Sequence, residues 1–247
     1  MFENGNDKKI HRLRSASIGE QVRLLRNFSK KKPDVIIVEC MAVNPQYQWI
    51  SEHKMIQSTL SVITNVRPDH LDEMGVTMYD NTMSLSNTIP FNGKMVTIDN
   101  KFNEDIRKNN NLFKEVANKR KTKLYFATSE NINTKIMDNF SYIEHKDNIA
   151  LALKVCELQG VNRNIALKGM YNVTPDPGAT IIWNLMIANK SNYFVNLFAA
   201  NDPYSTFNIF NQLSYRIEDS SICIFLNTRE DRLYRTHQMI DLVFNKI

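Results

Sequence analysis

Residues capable of chemistry cluster in the stretch from Ser61 to Gly75. An apolar, partly β-branched run, Leu60 to Thr64, stops at Asn65, and the polar segment Asp69-His70-Leu71-Asp72 follows shortly after. Polar side chains are therefore gathered where a strand is predicted to end. Open α/β sheets hold their ligands at the carboxyl ends of their strands, so this stretch is the predicted site.

A second apolar run, Val35 to Val38, lies upstream and ends in charge at Glu39. It is short and β-branched, which predicts a strand covered on both faces. If this strand lies beside the strand Leu60–Thr64, one crevice receives the polar residues that follow both of them. These residues are Glu39, Asn65, Asp69, His70 and Asp72.

Glu39 and His70 are the candidate metal ligands of this crevice. A carboxylate that follows four apolar strand residues must be solvated, paired or bound to a cation. The two side chains would offer an oxygen and a nitrogen to Mg²⁺, which takes the rest of its shell from waters and substrate phosphates. The alternatives are a surface or helix-capping role for Glu39, and for His70 a capping or core histidine held by Asp69 or Asp72. For Asp72 itself the alternative is an anchor of a helix N-terminus or a turn.

The composition is that of a soluble globular chain. Its 247 residues are 43% hydrophobic and 23% charged, which argues against wholesale disorder. Lysine and arginine number 31 against 26 acidic residues, a net charge of +5. This excess modestly favours anionic ligands such as nucleotides or polyacids, although basic residues scattered over a solvated surface explain it as well. The basic residues do not cluster on one predicted face, so no nucleic-acid partner is expected.

Cysteine usage and hydropathy indicate the compartment. Cys40, Cys156 and Cys223 are widely spaced within apolar runs, so they are predicted to be buried thiols in a reducing compartment. No apolar stretch approaches the roughly 18 residues of a membrane-spanning helix, and the N-terminus has no signal-peptide pattern. Any membrane association is expected to come through a partner or a further segment.

Helices and strands are predicted to alternate along the first 174 residues. The predicted strands are Val35–Val38, Leu60–Thr64, Lys94–Asp99 and Lys123–Phe126. The predicted helices are Ser17–Ser29, Pro45–Gln57, Thr77–Ile89, Asn103–Asn118, Asp147–Gln159 and Arg163–Met170. This alternation predicts an α/β fold with a mostly parallel sheet and helices on both faces.

The pattern breaks at Thr174-Pro175-Asp176-Pro177-Gly178, which cannot continue a helix. We therefore predict two domains, residues 1–174 and residues 175–247. The second is expected to contain strands at Ile181–Leu185, Tyr193–Leu197 and Ile222–Leu226, and helices at Pro203–Leu213 and from Asp231 to the end. Residues 175–247 are too few to form a full sheet with a closed core. They are therefore predicted to form a partial second α/β domain.

Three spaced motifs carry a family resemblance. Glu39–Pro45, Ile63–Asp72 and Pro175–Ala179 resemble the catalytic subunits of poly-γ-glutamate synthases, which are members of the Mur ligase superfamily. The resemblance covers nearly the whole chain. It implies a central domain like that of Mur ligases, followed by a partial C-terminal Rossmann-like domain. The implied activity is that of an ATP-dependent, ADP-forming acid–amino acid ligase, which makes capsular poly-γ-glutamate through an acyl phosphate with ATP and Mg²⁺.

The resemblance also implies roles for particular residues. Glu39 and His70 correspond to metal ligands of the family, and Asn65 and Asp72 are the implied catalytic residues beside them. Four residues of the second domain are implied to face the nucleotide or substrate: Asn201, Asp202, Arg229 and Arg232. For the two arginines, the alternative is a solvated surface pair with an acidic neighbour. Ala200 stands where the family segment ending in Ala-His-Asn-Pro has its histidine.

The sequence departs from the family at two places. A Mur ligase needs a phosphate-binding loop of the pattern G-x-x-G-K-[ST], and this sequence has none. The pair Gly93-Lys94 lacks the preceding glycine and the following hydroxyl, so it is predicted to be a turn. Many Mur ligases also carry a carbamylated lysine on the helix after the Asp-His segment. Around Leu85 there is no lysine, so a second metal site is expected to be weaker or built differently.

These departures lead to two expectations. The chain is expected to be truncated at both ends, and by itself to bind ATP weakly and turn over none. The alternative is a non-catalytic remnant or scaffold subunit of the capsule-synthesis complex. The resemblance implies glutamate, the poly-γ-glutamate chain and membrane subunits of that complex as partners. It also implies a cytoplasmic location at the inner face of the membrane, reached through partners or a missing N-terminal segment.

Overall fold

The computed structural model describes residues 2–3, 6–7, 17–68, 70–200, 202–214, 221–228, 230 and 233–247. The strands are β1 (Phe2–Glu3), β2 (Asn6–Asp7), β3 (Leu60–Ile63), β4 (Lys94–Ile98), β5 (Lys123–Ala127), β6 (Ile182–Ile187) and β7 (Lys190–Val195). The helices are α1 (Ile18–Lys31), α2 (Pro45–Ile50), α3 (Leu71–Met74), α4 (Met78–Leu85), α5 (Glu104–Lys119), α6 (Thr134–Met137), α7 (Lys146–Leu158), α8 (Arg163–Tyr171), α9 (Pro203–Ser214) and α10 (Leu233–Asn245). A π-helical turn, Ser51–Ile56, continues α2, and a 3-10 turn, Ser86–Thr88, continues α4. None of the helices in these ranges is long and apolar enough to cross a membrane.

The predicted α/β fold with a parallel sheet is confirmed. β3, β4 and β5 pair in parallel in the order β3-β4-β5. Successive side chains of β4 point to opposite faces. Met95 therefore packs in a cluster with Phe113 of α5, and Val96 packs in a second cluster with Ile149 of α7. Helices thus cover both faces of this sheet.

The three parallel strands begin level with one another. Leu60, Lys94 and Lys123 lie opposite one another in the ladder. Just before the ladder, Lys94 N donates to Thr59 O at 3.0 Å, and Lys123 N donates to Gly93 O at 3.0 Å. Because the strands start level and have nearly equal lengths, the loops that follow them leave the sheet at the same edge.

Two of the predicted helices begin at polar caps, Ser17 and Thr77. Ser17 Oγ accepts from Glu20 N at 3.4 Å at the start of α1. At the start of α4, Thr77 Oγ1 accepts from Asp80 N at 3.1 Å, and the Asp80 carboxylate accepts from Thr77 N at 3.1 Å. These reciprocal bonds satisfy backbone donors that the first turn of a helix leaves unpaired.

The strand predicted at Val35–Val38 is wrong. Residues 35–43 form no strand, and the four apolar side chains are exposed, Ile37 by 92%. A strand needs an edge to pair with and a cover for its side chains. In the described part of the chain this segment has neither, since β3 pairs there with β4 alone.

The second predicted unit contains an antiparallel hairpin. β6 and β7 confirm the strands expected at Ile181–Leu185 and Tyr193–Leu197, and they pair antiparallel. Ala188 and Asn189 join them with φ of +50° and +60°, which suits a two-residue hairpin turn because such turns match the twist of the strands.

The strand predicted at Ile222–Leu226 is also wrong, because residues 221–228 form no strand and are mostly exposed. These two failed strands explain a failed expectation about the thiols. Cys40 follows the first of these segments and Cys223 lies in the second, and both are exposed rather than buried. α9 lies where a helix was predicted. α10 is described from Leu233, and the predicted start at Asp231 lies outside the described residues.

The helix predicted from Pro45 to Gln57 changes type at Ser51. The carboxylate of Glu52, in the π-helical turn, accepts from the backbone N and the hydroxyl of Ser58 at 2.9 and 3.0 Å. Burial raises the pKa of Glu52, while the Ser58 donors and the positive charge of Arg120 act in the opposite direction. The turn is thereby tied to the residues that lead into β3.

His53 of the same turn lies between two aromatic rings. Its ring centroid is 5.0 Å from that of Trp49 and 4.9 Å from that of Phe91. Burial lowers the pKa of His53, and the positive charges of Arg120 and Lys54 lower it further. The imidazole is therefore held neutral at pH 7.

We expect the protein to lose stability as the pH falls below about 6.5. The unfolded chain binds a proton on His53 near the ordinary histidine pKa of about 6.5. The folded state binds it only at lower pH because its pKa is lowered. The unfolded state therefore holds more protons in this window, and the free energy of unfolding decreases as the pH falls through it.

Urea unfolding midpoints at pH 7.5 and pH 5.5 measure this loss. His53→Phe should remove the contribution of His53 because phenylalanine keeps a ring but does not titrate. His237→Phe is the matched control, since His237 is exposed on α10. An unchanged pH dependence in His53→Phe would contradict the assignment.

Candidate functional site

The loop that follows β3 carries the first group of predicted site residues. Asn65 lies two residues beyond the end of β3 and is exposed. His70 is the N-cap residue of α3 and has a left-handed backbone, φ +48°, which is uncommon for a residue other than glycine. Its carbonyl accepts from Glu73 N at 2.9 Å and from Met74 N at 2.8 Å. The loop therefore ends in a helix start that is fixed by the backbone of His70.

Asp72 is exposed in the first turn of α3. A carboxylate there interacts favourably with the unpaired N–H groups of a helix N-terminus, so the position suits the anchoring role that the sequence left open. The neighbouring Glu73 accepts from Asn44 Nδ2 at 2.9 Å, which joins this turn to the start of α2. Asp69 lies outside the described residues.

Glu39 and His70 do not form a complete metal site with other described residues. Glu39 is exposed on the segment that forms no strand. Within the described ranges, no group of three or more histidine, cysteine or acidic side chains could hold a metal ion. We therefore derive no chemical step through a metal, and the assignment of Glu39 and His70 as ligands stays a prediction.

Asp202 caps helix α9 in the second unit. Its carboxylate accepts from Ser205 N at 2.9 Å and from Ser205 Oγ at 2.6 Å, and its carbonyl accepts from Thr206 N at 3.1 Å. This pattern is that of a helix N-cap. Three other predicted residues of this half of the site, Asn201, Arg229 and Arg232, lie outside the described residues.

Arg67 joins the loop after β3 to the cap of α9. Its Nη1 donates to both carboxylate oxygens of Asp202, at 3.1 and 3.0 Å, and to Ser205 Oγ. Its guanidinium carbon lies 5.0 Å from the centroid of the Tyr204 ring. The structure thus brings Asp202 next to the loop of Asn65 and His70 through a residue that the sequence did not single out.

The Pro175–Ala179 motif supports the same region. Gly178 N donates to Asp176 Oδ1 at 2.7 Å, and Gly178 O accepts from Ala199 N at 2.9 Å. A Cβ on Gly178 would lie 2.9 Å from Ala199 N, so only glycine permits this approach. The buried Asn196 completes the contact by donating from Nδ2 to Pro177 O at 2.9 Å. The motif therefore packs against the segment that leads to Asp202.

A groove of about 490 Å³ lies at the same edge of the sheet, beyond β4 and β5. Its lining includes Asp99, Glu104, Arg107, Lys108, Lys114 and Phe126. Lys108 pairs with Glu104 at 2.9 Å, which neutralises one cation of the lining. The groove carries both signs of charge and contains none of the residues predicted for the site.

Two comparisons with known proteins give matches for this chain. Residues 183–247 match the family described as the poly-gamma-glutamate synthase CapB C-terminal domain. This chain resembles capsule-polymer synthases. It is 39% identical over 223 residues, 90% of its length, to the "Capsule biosynthesis protein CapB" of Bacillus anthracis. It is 37% identical over 241 residues, 96% of its length, to the "PGA synthase CapB" of Bacillus subtilis strain 168.

The chain spans 47% and 59% of the lengths of these two relatives. No solved structure matches it. The likeness to poly-γ-glutamate synthases that the motifs indicated is confirmed, whereas membership of the Mur ligase superfamily stays a prediction.

Proposed function

We propose that the protein takes part in poly-γ-glutamate synthesis as an ATP-dependent acid–amino acid ligase. The observation that carries this proposal is the similarity of 90% and 96% of the chain to two proteins named for capsule or PGA synthesis. The side-by-side position of the loop after β3 and the cap of α9 supports it, because both carry motifs of the resemblance.

In the proposed reaction, a γ-carboxylate oxygen of the glutamate chain attacks the terminal phosphorus of ATP, which releases ADP and forms an acyl phosphate. The amine of an incoming glutamate then attacks the acyl carbon, and phosphate leaves as the amide forms. Positioning and stabilisation of the phosphoryl charge supply most of the catalysis in such transfers. Mg²⁺ would supply the charge stabilisation when bound.

We propose the following roles for individual residues. Asn65 and Asp72 would act beside the reacting groups, and Glu39 and His70 would hold Mg²⁺. Asn201, Asp202, Arg229 and Arg232 would face the nucleotide or substrate from the second unit. Membrane subunits of a capsule-synthesis complex are the proposed partners, and they would hold the protein at the inner face of the membrane.

Glutamate-dependent release of ADP tests the proposal. We expect none from the 247-residue chain, because its sequence contains no G-x-x-G-K-[ST] loop to bind the phosphates. A longer polypeptide in which such a loop precedes these residues should release ADP only when glutamate is present. In that polypeptide, His70→Ala should lower the rate at least about tenfold if His70 holds the ion that stabilises the phosphoryl group.

The rival proposal is a non-catalytic scaffold subunit of the complex. It is favoured by the absence of the phosphate-binding loop from the sequence. A longer polypeptide that folds and yet releases no ADP would support the scaffold. Turnover by the 247-residue chain alone would contradict the expectation that this chain is inactive without that loop.

A further inference from the structure

The ion pair between Arg67 and Asp202 has features of a contact that a ligand can replace. Only one nitrogen of the guanidinium, Nη1, takes part in its hydrogen bonds within the described residues. An arginine offers five N–H donors in a planar fork, and its strongest pairs with carboxylates use two nitrogens at once. The fork of Arg67 is therefore incompletely used by Asp202.

Neither partner would be left unsatisfied if the pair separated. The Asp202 carboxylate would keep both bonds from Ser205, which hold it as the cap of α9. The Arg67 guanidinium would keep the face of the Tyr204 ring. Side chains of Arg67 and Asp202 are each 25% exposed, so neither loses a deeply buried charge partner. Separation of such a pair requires little energy, since partly exposed pairs are weak.

The position of Arg67 makes this exchange relevant to the site. The residue lies two positions after Asn65 and three before His70, in the loop that leaves the carboxyl edge of the sheet. Both substrates of the proposed ligase carry oxyanions: the carboxylates of glutamate and the phosphates of the nucleotide. Arginine is well suited to either group because its fork matches their geometry.

We propose that Arg67 is a ligand-binding residue, and that Asp202 occupies it as an internal carboxylate which an oxyanion of a substrate replaces. This inference rests on the proposed function for the identity of the oxyanion. In this proposal Asp202 competes with the ligand for Arg67. Binding of the ligand would break the ion pair, while Arg67 stays against the ring of Tyr204 in α9.

Binding of two small probes to the 247-residue chain tests the exchange. Glutarate stands for the carboxylate source and inorganic pyrophosphate for the phosphate source, each titrated at constant ionic strength by calorimetry or by NMR. Asp202→Asn keeps the cap of α9 but removes the competing charge, since asparagine caps helices as well as aspartate does. We expect it to bind the effective probe about two- to fivefold more tightly than the wild type.

Arg67→Ala is expected to weaken the same binding about ten- to a hundredfold, because a charge-assisted hydrogen bond is lost. The affinity of Arg67→Lys should lie between those of Arg67→Ala and the wild type, since lysine keeps the charge but lacks the planar fork of donors. Asp241→Asn and Arg26→Ala are the matched controls at exposed positions of α10 and α1, and they should leave binding unchanged. Far-ultraviolet circular dichroism and thermal melting establish that each variant is folded.

Opposite changes of binding affinity in Asp202→Asn and Arg67→Ala distinguish an exchangeable ion pair from a static brace, that is, a pair that only holds the two segments together. A brace would make both Asp202→Asn and Arg67→Ala bind no better than the wild type, and that result would overturn the proposal. Failure of both probes to bind the folded chain would overturn it too. Binding of one probe, or of both, with the expected signs supports the proposal and names the oxyanion source. No turnover is needed, so this outcome is independent of whether the chain proves to be a ligase.

Discussion

Phe113→Ala is expected to lower the free energy of unfolding by about 3–5 kcal/mol, the usual loss for a buried aromatic side chain. Phe113 is only 1% exposed and packs in the cluster that includes Ile63 at the end of β3. Its removal leaves a cavity beneath the strand that carries the predicted site, and the close packing around it permits little collapse.

Chemical denaturation measures this change as a shift of the midpoint at unchanged slope. Phe102→Ala is the matched control, because Phe102 is 94% exposed and its removal should change stability by less than about 0.5 kcal/mol. Equal losses in the two variants would show that α5 does not pack against the sheet in the way described.

Arg120→Ala is expected to lower the free energy of unfolding by about 2–4 kcal/mol, since charge-assisted hydrogen bonds to buried acceptors are among the strong ones. Arg120 Nη1 donates to Ser86 O at 2.7 Å and to Ile89 O at 2.6 Å, at the 3-10 turn after α4. Its guanidinium carbon also lies 5.6 Å from the centroid of the Phe91 ring. The nearby Glu52 would lose a compensating positive charge.

Arg120→Lys separates the effect of the positive charge from that of the planar guanidinium. Lysine keeps the positive charge near Glu52 but cannot reach both carbonyls in the same plane, so an intermediate loss is expected. Arg107→Ala is the control and should have little effect on stability, because Arg107 is exposed on α5, the helix that ends just before Arg120. Arg120→Ala with wild-type stability would mean that water replaces the guanidinium at these carbonyls.

Local signals in the sequence were enough for most helices and for the parallel sheet. The cap at Thr77 and the spacing of buried residues along α5 each depend on residues only a few positions apart. The sequence alone therefore predicted both helices. The strands at Val35–Val38 and Ile222–Leu226 failed for the opposite reason. Their apolar runs suit a strand, but a strand also needs a partner edge, and that depends on residues far along the chain.

Only part of the candidate site could be predicted from the sequence. The loop after β3 was predicted because polar residues follow a strand, whereas Asp202 was implied by the family resemblance. Arg67 was not singled out, although it lies between Asn65 and His70. Its partner is 135 residues away, and nothing in the local pattern indicates that an exposed-looking arginine in a loop will meet a helix cap.

The level start of the three parallel strands bears on how the chain could be engineered. Backbone hydrogen bonds join Lys94 to Thr59 and Lys123 to Gly93 where the strands start. A peptide inserted there would break these bonds and shift the strands. At the far edge, a comparable bond joins the ends of β4 and β5, since Asp99 N donates to Ala127 O at 2.8 Å. Grafted sequences, such as a metal-binding tag or a fluorescent reporter, should therefore be placed beyond this bond, at the exposed Lys101 and Phe102, where they leave the register of the sheet unaltered.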